Sequence, residues 1–342
     1  MDIVTQGLLG ATIAQAGARP NEVRLASLVG FCAPLLADAD ALIRSTADPL
    51  LFLEYHRHFT HALLFIPVGA LLASLLLWPL LRKRLAFRRI YFFALLGYAT
   101  AGFLDGCTSY GTHLLWPFSN ERIAWSIISI FDPLFSLVLI TAIVLGAVKS
   151  QPLAARTGMV CAAAYLSLGA IQHDRAESLA QLQAQQRGHI AKRLVVKPTM
   201  GNLLLWRSIY ESDGMYHVDA VRVGWPGNNK VFEGNRVRAF DISRDLPQLS
   251  DQTPVYRDIE RFELFSGNFL ALHPDRPNVL GDLRYAMLPT SIRPLWGIEL
   301  DLDEPYEHVT FETYRTMPDA ERKAFIAMLV NRPGHLPGYE KL

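Results

Sequence analysis

The apolar positions of this chain are arranged in two ways. Up to residue 172 they form long uninterrupted runs; beyond it they alternate with polar residues or recur at helical spacing. A helix that crosses a bilayer needs about 20 largely apolar residues. The run ALLFIPVGALLASLLLWPLL (62–81) has that length. Runs at 90–105, 133–148 and 157–171 approach it, the middle one with an upstream extension through IAWSIISIF (123–131). Four transmembrane helices are predicted there. Two shorter apolar segments, 3–17 and 25–37, flank ARPNEVR (18–24) and predict an N-terminal apolar hairpin dipping into the bilayer.

After residue 172 the pattern is that of a soluble protein. DRAESLAQLQAQQRGH (174–189) predicts a helix. NLLLWRSIYE (202–211) and MYHVDAVRVG (215–224) then flank Ser212-Asp213-Gly214, a hairpin signal. Further strands are predicted at 261–266, 280–289, 295–302 and 308–317, and Pro318-Asp319 opens a short terminal helix. The expected fold is therefore an α-helical membrane domain, with four transmembrane helices and the N-terminal hairpin, followed by a small β-rich soluble domain. The boundaries follow the pattern: a membrane domain at 1–172, a helical linker at 173–192 and the β-rich domain at 193–342.

Composition adds exclusions. A formal charge of +1 and no basic patch with interleaved aromatics argue against nucleic acid as a partner. The three cysteines, Cys32, Cys107 and Cys161, form no CxxC pair and leave the redox compartment open. Residues 1–17 lack the basic flank of a cleavable secretion signal. Local charge is more informative than the total. Arg82, Lys83, Arg84, Arg88 and Arg89 crowd one loop, and Lys149 and Arg156 bound another, so both loops are expected on the cytoplasmic side. His56–His61, segment 105–132, Asp38–Asp40 and everything after 172 then fall on the opposite side. Four polar clusters distant in sequence are expected to converge there.

Those clusters hold metal-ligand chemistry. His56, His58 and His61 stand where the chain enters the run 62–81. His56 and His61 can converge if the first precedes the helix and the second occupies its first turn, which Thr60 could cap. Asp38, Asp40 and Asp105 end apolar runs, where the helix dipole and the nearby lipid both disfavour a lone carboxylate and a cation compensates. Asp38 and Asp40 are two apart, so they reach one ion only from a turn; otherwise one binds and the other orients a histidine. The candidate ligands are Asp38, Asp40, His56, His61 and Asp105. His58 is the candidate general base and Arg57 the candidate holder of an anionic group such as phosphate. Mixed imidazole and carboxylate donors suit zinc first, with manganese or magnesium as alternatives. Asp132-Pro133 reads as a helix cap followed by its first residue, and TSYGTHLLWPFS (108–119) as an interfacial loop covering the site. Gly-x-Ser-x-Gly, phosphate-loop and GxGxxG patterns are absent from the sequence.

Several of these blocks carry a family resemblance. MDIVTQGLLGATIAQAG (1–17), PLLADAD (34–40), HRHFTHALLF (56–65), LLGYATAGFLDGCTSYGTHLLWPFS (95–119) and IFDPLF (130–135) resemble, in order, bacterial inner-membrane proteins described as metal-dependent hydrolases. These are the group also described as LexA-regulated or LexA-binding. PTMGNLLLWRSIY (198–210) and LGDLRY (280–285) resemble the same group's C-terminal extension. The group is distantly similar to zinc phospholipase C and P1-type nucleases, which implies phosphoester hydrolysis by analogy. Two positions depart from the pattern: Gln6 and Ala101 stand where many members carry histidine. The resemblance implies a bacterial inner-membrane location, with the C-terminal domain expected on the periplasmic side. It also implies metal-assisted hydrolysis of an ester or phosphoester in a lipid head group or envelope metabolite, with membrane lipids as neighbours. The alternative expectation is a non-enzymatic envelope anchor that binds a protein partner and holds a structural ion.

Overall fold

The computed structural model describes residues 1–224 and 227–332; the last ten residues of the predicted domain 193–342 lie outside that set. Seven helices come first: α1 (Ile3–Ala16), α2 (Val23–Leu35), the short α3 (Leu51–Tyr55), α4 (Ile66–Leu81), α5 (Phe87–Cys107), α6 (Pro133–Lys149) and α7 (Leu153–Gln186). Among the described residues, four helical stretches are long and apolar enough to cross a membrane: Val23–Leu42, Leu63–Leu81, Phe87–Cys107 and Leu153–Gln186. They are not quite the four predicted. The helical path of α2 continues through a 3-10 turn at Ala37–Leu42, which brings the second arm of the expected hairpin to spanning length. Helix α6 reaches only 17 residues. Asp132 fixes its start by accepting from Phe135 N–H at 3.0 Å, and left-handed Ser150 ends it. The extension expected through 123–131 is not helical: Ile128 bridges to Thr108 instead.

The chain divides into two compact units. The first holds Met1–Ile43, Tyr55–Ile171 and Met200–Leu203. Its centre is small-residue packing. A Cβ on Gly10 would sit 2.2 Å from Gly30 O, and one on Gly97 would sit 2.5 Å from the same oxygen, so α1, α2 and α5 approach at backbone distance. Contacts define its two ends. At one, Arg89 pairs with Glu22 at 2.5 Å, Arg24 Nε donates to Ala147 O at 3.2 Å and Arg156 Nε donates to Ala16 O at 3.1 Å. The two basic loops therefore gather there. At the other end Asp2 N–H donates to Ile130 O at 2.9 Å, beside the C-terminus of α5.

The second unit takes Arg44–Glu54, Gln172–Thr199 and the described residues from Leu204 on. The predicted linker is not separate: α7 runs unbroken through 173–186, because polarity changes there while no Gly or Pro interrupts the backbone. One antiparallel sheet follows, with β1 (Arg193–Pro198), β2 (Leu205–Ser212), β3 (Met215–Arg222), β4 (Lys230–Phe232) and β5 (Arg236–Arg238), the last also pairing with β3. Ser212 faces Met215 across the predicted turn, where Asp213 (φ 51°) and Gly214 (φ 72°) both take the left-handed conformation that a tight hairpin needs. Helices α8 (Ile242–Asp245) and α9 (Pro254–Ser266) lead to a second antiparallel sheet of β6 (Leu270–His273), β7 (Arg276–Asp282), β8 (Trp296–Glu299) and β9 (Thr310–Thr313), and then α10 (Asp319–Leu329). The strand predicted at 261–266 is the end of α9. Thr253 caps that helix, Pro254 opens it and left-handed Gly267 closes it, while Val255, Ile259 and Phe262 recur at helical spacing on its buried face. Leu50 and Leu53 are buried in the same core as Val255, Ile259, Phe262 and Leu270. Arg207, 4% exposed, ties strand to loop: Nη1 donates to the Pro289 and Ser291 carbonyls at 2.8 Å each, and Nη2 to the Leu283 carbonyl at 2.7 Å.

Candidate metal centre

Four pieces of backbone bring the predicted ligands together within the first unit. The 3-10 turn Ala37–Leu42 carries Asp38 and Asp40, and supplies the turn that their spacing required. Residues 56–58 follow α3, with Arg57 left-handed at φ 61°. A second 3-10 turn, Phe59–His61, places His61 ahead of α4. The last turn of α5 carries Asp105. This backbone runs close to α5: a Cβ on Gly102 would lie 2.1 Å from His61 O, and Tyr98 donates to the Thr60 carbonyl at 2.9 Å.

Asp40, 2% exposed, is the hub of the histidines. Its Oδ2 accepts from Arg57 N–H at 2.8 Å and from the Thr60 hydroxyl at 2.5 Å, and lies 3.3 Å from His61 Nδ1. Its Oδ1 lies 2.9 Å from His56 Nδ1. Thr60, expected as a helix cap, instead serves this carboxylate. With Nδ1 so engaged, His61 turns Nε2 toward Asp105 Oδ2 at 3.1 Å and Asp38 Oδ1 at 3.5 Å. Burial alone would lower the pKa of His61, but its hydrogen bonds to Asp105, Asp38 and Asp40 prevail and raise it to about 10.

Asp105 is fully buried. It accepts from Gln6 Nε2 at 2.9 Å, meets Arg57 Nε at 3.1 Å and pairs with the α-amino group of Met1. Arg57 Nη2 also donates to Met1 O at 2.8 Å, and its guanidinium lies 5.0 Å from the Tyr110 ring centroid. Arg57 is 6% exposed, so it faces inward. His58 stands in an aromatic cluster, 4.6 Å from the His113 ring and 5.6 Å from Trp116 by centroids. Segment 108–119 closes over this corner: the Thr112 hydroxyl donates to Arg57 O at 2.9 Å and His113 N–H donates to the same oxygen at 3.2 Å. Burial, with Arg122 and His58 nearby, pushes His113 down to about 4 and keeps it neutral.

Donor atoms of Asp38, His61 and Asp105 lie within 4.8 Å of one another, as do those of Asp38, Asp40 and His56. At the first group Gln6 Oε1 is buried with no hydrogen-bond partner among the described residues, and His61 Nε2 meets only the carboxylates of Asp105 and Asp38. One imidazole, two carboxylates and an amide oxygen fit a small divalent cation such as zinc or manganese. Ala101 on α5 is fully buried and offers no donor. A third grouping of metal-ligand residues, Asp48, Asp258 and His308, lies in the second unit, where Arg261 bonds both carboxylates at 2.9–3.0 Å and makes an ion-pair network of it. Asp132 is a cap as expected, and its Oδ2 also accepts from the Tyr165 hydroxyl at 2.8 Å. Two residues touch the site without a clear signal in the sequence: Thr60, whose position predicts a helix cap, donates to Asp40 instead, and Arg122, the only Lys or Arg in 108–132, donates to the His56 carbonyl.

Comparison with known proteins agrees with the membrane half. The family model of the YdjM inner membrane protein matches residues 1–176, and the chain belongs to that family. The protein named "Uncharacterized protein YfhP" of Bacillus subtilis (strain 168) is 26% identical over 135 residues, 40% of this chain and 40% of its own length. The chain therefore spans well under half of that relative. No solved structure matches.

Proposed function

We propose that this member of the YdjM family is a membrane-embedded, metal-dependent hydrolase of a phosphoester or ester, with its site at the extracytoplasmic end of the helices. One observation carries the reading: Asp40 orients His61 so that its buried Nε2 faces Asp38 and Asp105. These three residues would hold the ion, with Gln6 Oε1 beside them. Such an ion, when bound, acidifies water and polarises a phosphoryl or carbonyl oxygen. The chain's own residues do the rest. His56 is the base: Asp40 fixes its Nδ1, its side chain is 24% exposed, and its Nε2 accepts the proton of the attacking water. Asp40 stabilises the imidazolium that results. Arg57, expected from sequence to hold a substrate anion, neutralises Asp105, and His58, expected as the base, packs between His113 and Trp116. The end of the unit opposite the basic loops is extracytoplasmic by the positive-inside rule, so a lipid head group or envelope metabolite is the substrate class.

The test is metal analysis of the purified protein, together with a screen of phosphomonoester, phosphodiester and ester lipids. About one divalent ion per chain, lost in His61→Ala along with hydrolysis, supports the proposal. A metal-free chain with no hydrolysis sinks it. A reporter fused after the last residue tests the orientation, and a cytoplasmic signal would refute it.

A second reading has its own observation. Asp105 is already met by Arg57, Gln6 and the Met1 amine, a compensation that needs no ion. In that reading the cluster is a structural network in a membrane anchor that binds an envelope or protein partner. Unchanged stability after exhaustive chelation, with no hydrolysis, would favour it.

A further inference from the structure

We infer that the groove between α6 and α7 is a binding site for an anionic phospholipid, with one acyl chain lying along the helices and the phosphate at Lys149. The site stands apart from the hydrolase reading and needs only the membrane location of the family.

The two helices meet at small residues. A Cβ on Gly158 would sit 2.3 Å from that of Ala142, so α6 and α7 touch there and make the floor of the groove. Leu137, Val138, Leu145 and Leu153 stand on its walls, and its volume is about 540 Å³. Three of those walls, Leu137, Leu145 and Leu153, are exposed. Thr141 and Thr157 also line it, and each could ask for a polar occupant. Neither does, because each hydroxyl donates to a carbonyl one turn back on its own helix: Leu137 O at 2.8 Å and Leu153 O at 3.1 Å. No hydroxyl proton is left for a ligand along this length, and a hydrocarbon chain fits it.

The length suits one leaflet. From Leu137 to Lys149 a helix rises about 18 Å, at about 1.5 Å per residue, against about 15 Å for half of a hydrocarbon core. A chain entering at Lys149 therefore ends near the bilayer centre. A helix of a partner protein, crossing the whole core, would need a wall about twice as long.

Charge selects the head group. Lys149 lines the end of the groove, is exposed, and has no acidic partner among the described residues. No Asp or Glu occurs between Asp132 and Asp174, so the residues around the groove supply none. At the same end of the unit Glu22 is taken by Arg89. Arg24 and Arg156 are tied there to the neutral carbonyls of Ala147 and Ala16, which leave their charge in place. A net negative head group is attracted to this level, whereas a zwitterionic one also brings a cation that Lys149 repels.

The test is native mass spectrometry of the full chain in detergent micelles, titrated with phosphatidylglycerol and with phosphatidylcholine carrying the same acyl chains. Wild type should bind one phosphatidylglycerol per chain about fivefold more tightly than phosphatidylcholine, the effect of one lysine near a membrane surface. Lys149→Gln should remove that preference and Lys149→Arg should keep it. Lys83→Gln takes a charge from the same basic end without lining the groove, and should leave the preference intact. Thr157→Trp fills the groove from α7 and Thr141→Trp from α6. Both positions are exposed, and either variant should weaken both lipids about tenfold or more by displacing buried methylenes. Equal affinity of wild type for the two lipids overturns the inference, as does a preference that survives Lys149→Gln. A preference abolished by Lys83→Gln also overturns it, because the attraction would then be diffuse. So does lipid binding undiminished in a folded tryptophan variant, or a wild-type dimer that such a variant dissociates, since the groove would then be a face between copies.

Discussion

Gln6 Nε2 donates to Asp105 Oδ2 at 2.9 Å, joining the start of α1 to the last turn of α5 across a separation of 99 residues. The amide satisfies a buried carboxylate. Gln6→Ala should therefore lower stability by about 1–3 kcal/mol, the usual cost of stranding a buried acceptor, read as a drop in Tm in detergent. Gln6→His restores a nitrogen donor and should hold zinc more tightly than wild type in a chelator competition.

Asp40 touches no proposed ion position directly, yet it meets both His56 and His61. Asp40→Asn keeps the shape and removes the charge. Metal affinity should fall about 10- to 100-fold, with Asp38, His61 and Asp105 still in place. Asp105→Asn should abolish binding outright. Equal retention of zinc by both variants in dialysis against a graded chelator would contradict this ordering.

His113 predicts an acid effect. Its pKa is pushed from 6.5 down to about 4 in the folded chain. As pH falls from 6.5 toward 4, the unfolded chain takes a proton that the folded chain refuses, so the folded state loses stability over that window and regains it as pH rises. His113→Gln removes the titrating group. The fall in Tm between pH 6.5 and 4 should be shallower in the variant than in wild type, with the two curves parallel above pH 7.

In the second unit, Arg207 answers the carbonyls of Leu283, Pro289 and Ser291 from a buried position. Arg207→Met keeps the length of the side chain but strands those oxygens. A loss of about 3 kcal/mol or more is expected, measured as early loss of tryptophan fluorescence from buried Trp206 on urea unfolding.

The features legible in the sequence were those that local chemistry dictates. Asp132-Pro133 started α6 where a cap and a helix-compatible proline predict it. Asp213-Gly214 turned the hairpin because both positions tolerate positive φ. Convergence of Asp38, His61 and Asp105 followed from charges placed at the ends of apolar runs. What escaped notice depended on tertiary partners. Residues 261–266 alternate well enough to mimic a strand until Thr253, Pro254 and Gly267 are read as the bounds of one amphipathic helix. The inward turn of Arg57 follows from a left-handed residue, which leaves no periodic trace.

Residues 44–54 lie between Asp40 and His56 in sequence, yet Leu50 and Leu53 are buried with Val255, Ile259 and Phe262. The two halves of this protein are consequently interleaved and cannot be transplanted separately. A gene fragment ending at residue 176, the limit of the family match, would encode two leucines whose companions it had left behind. The strand of chain that links one histidine-orienting carboxylate to its histidine would then have nowhere to fold.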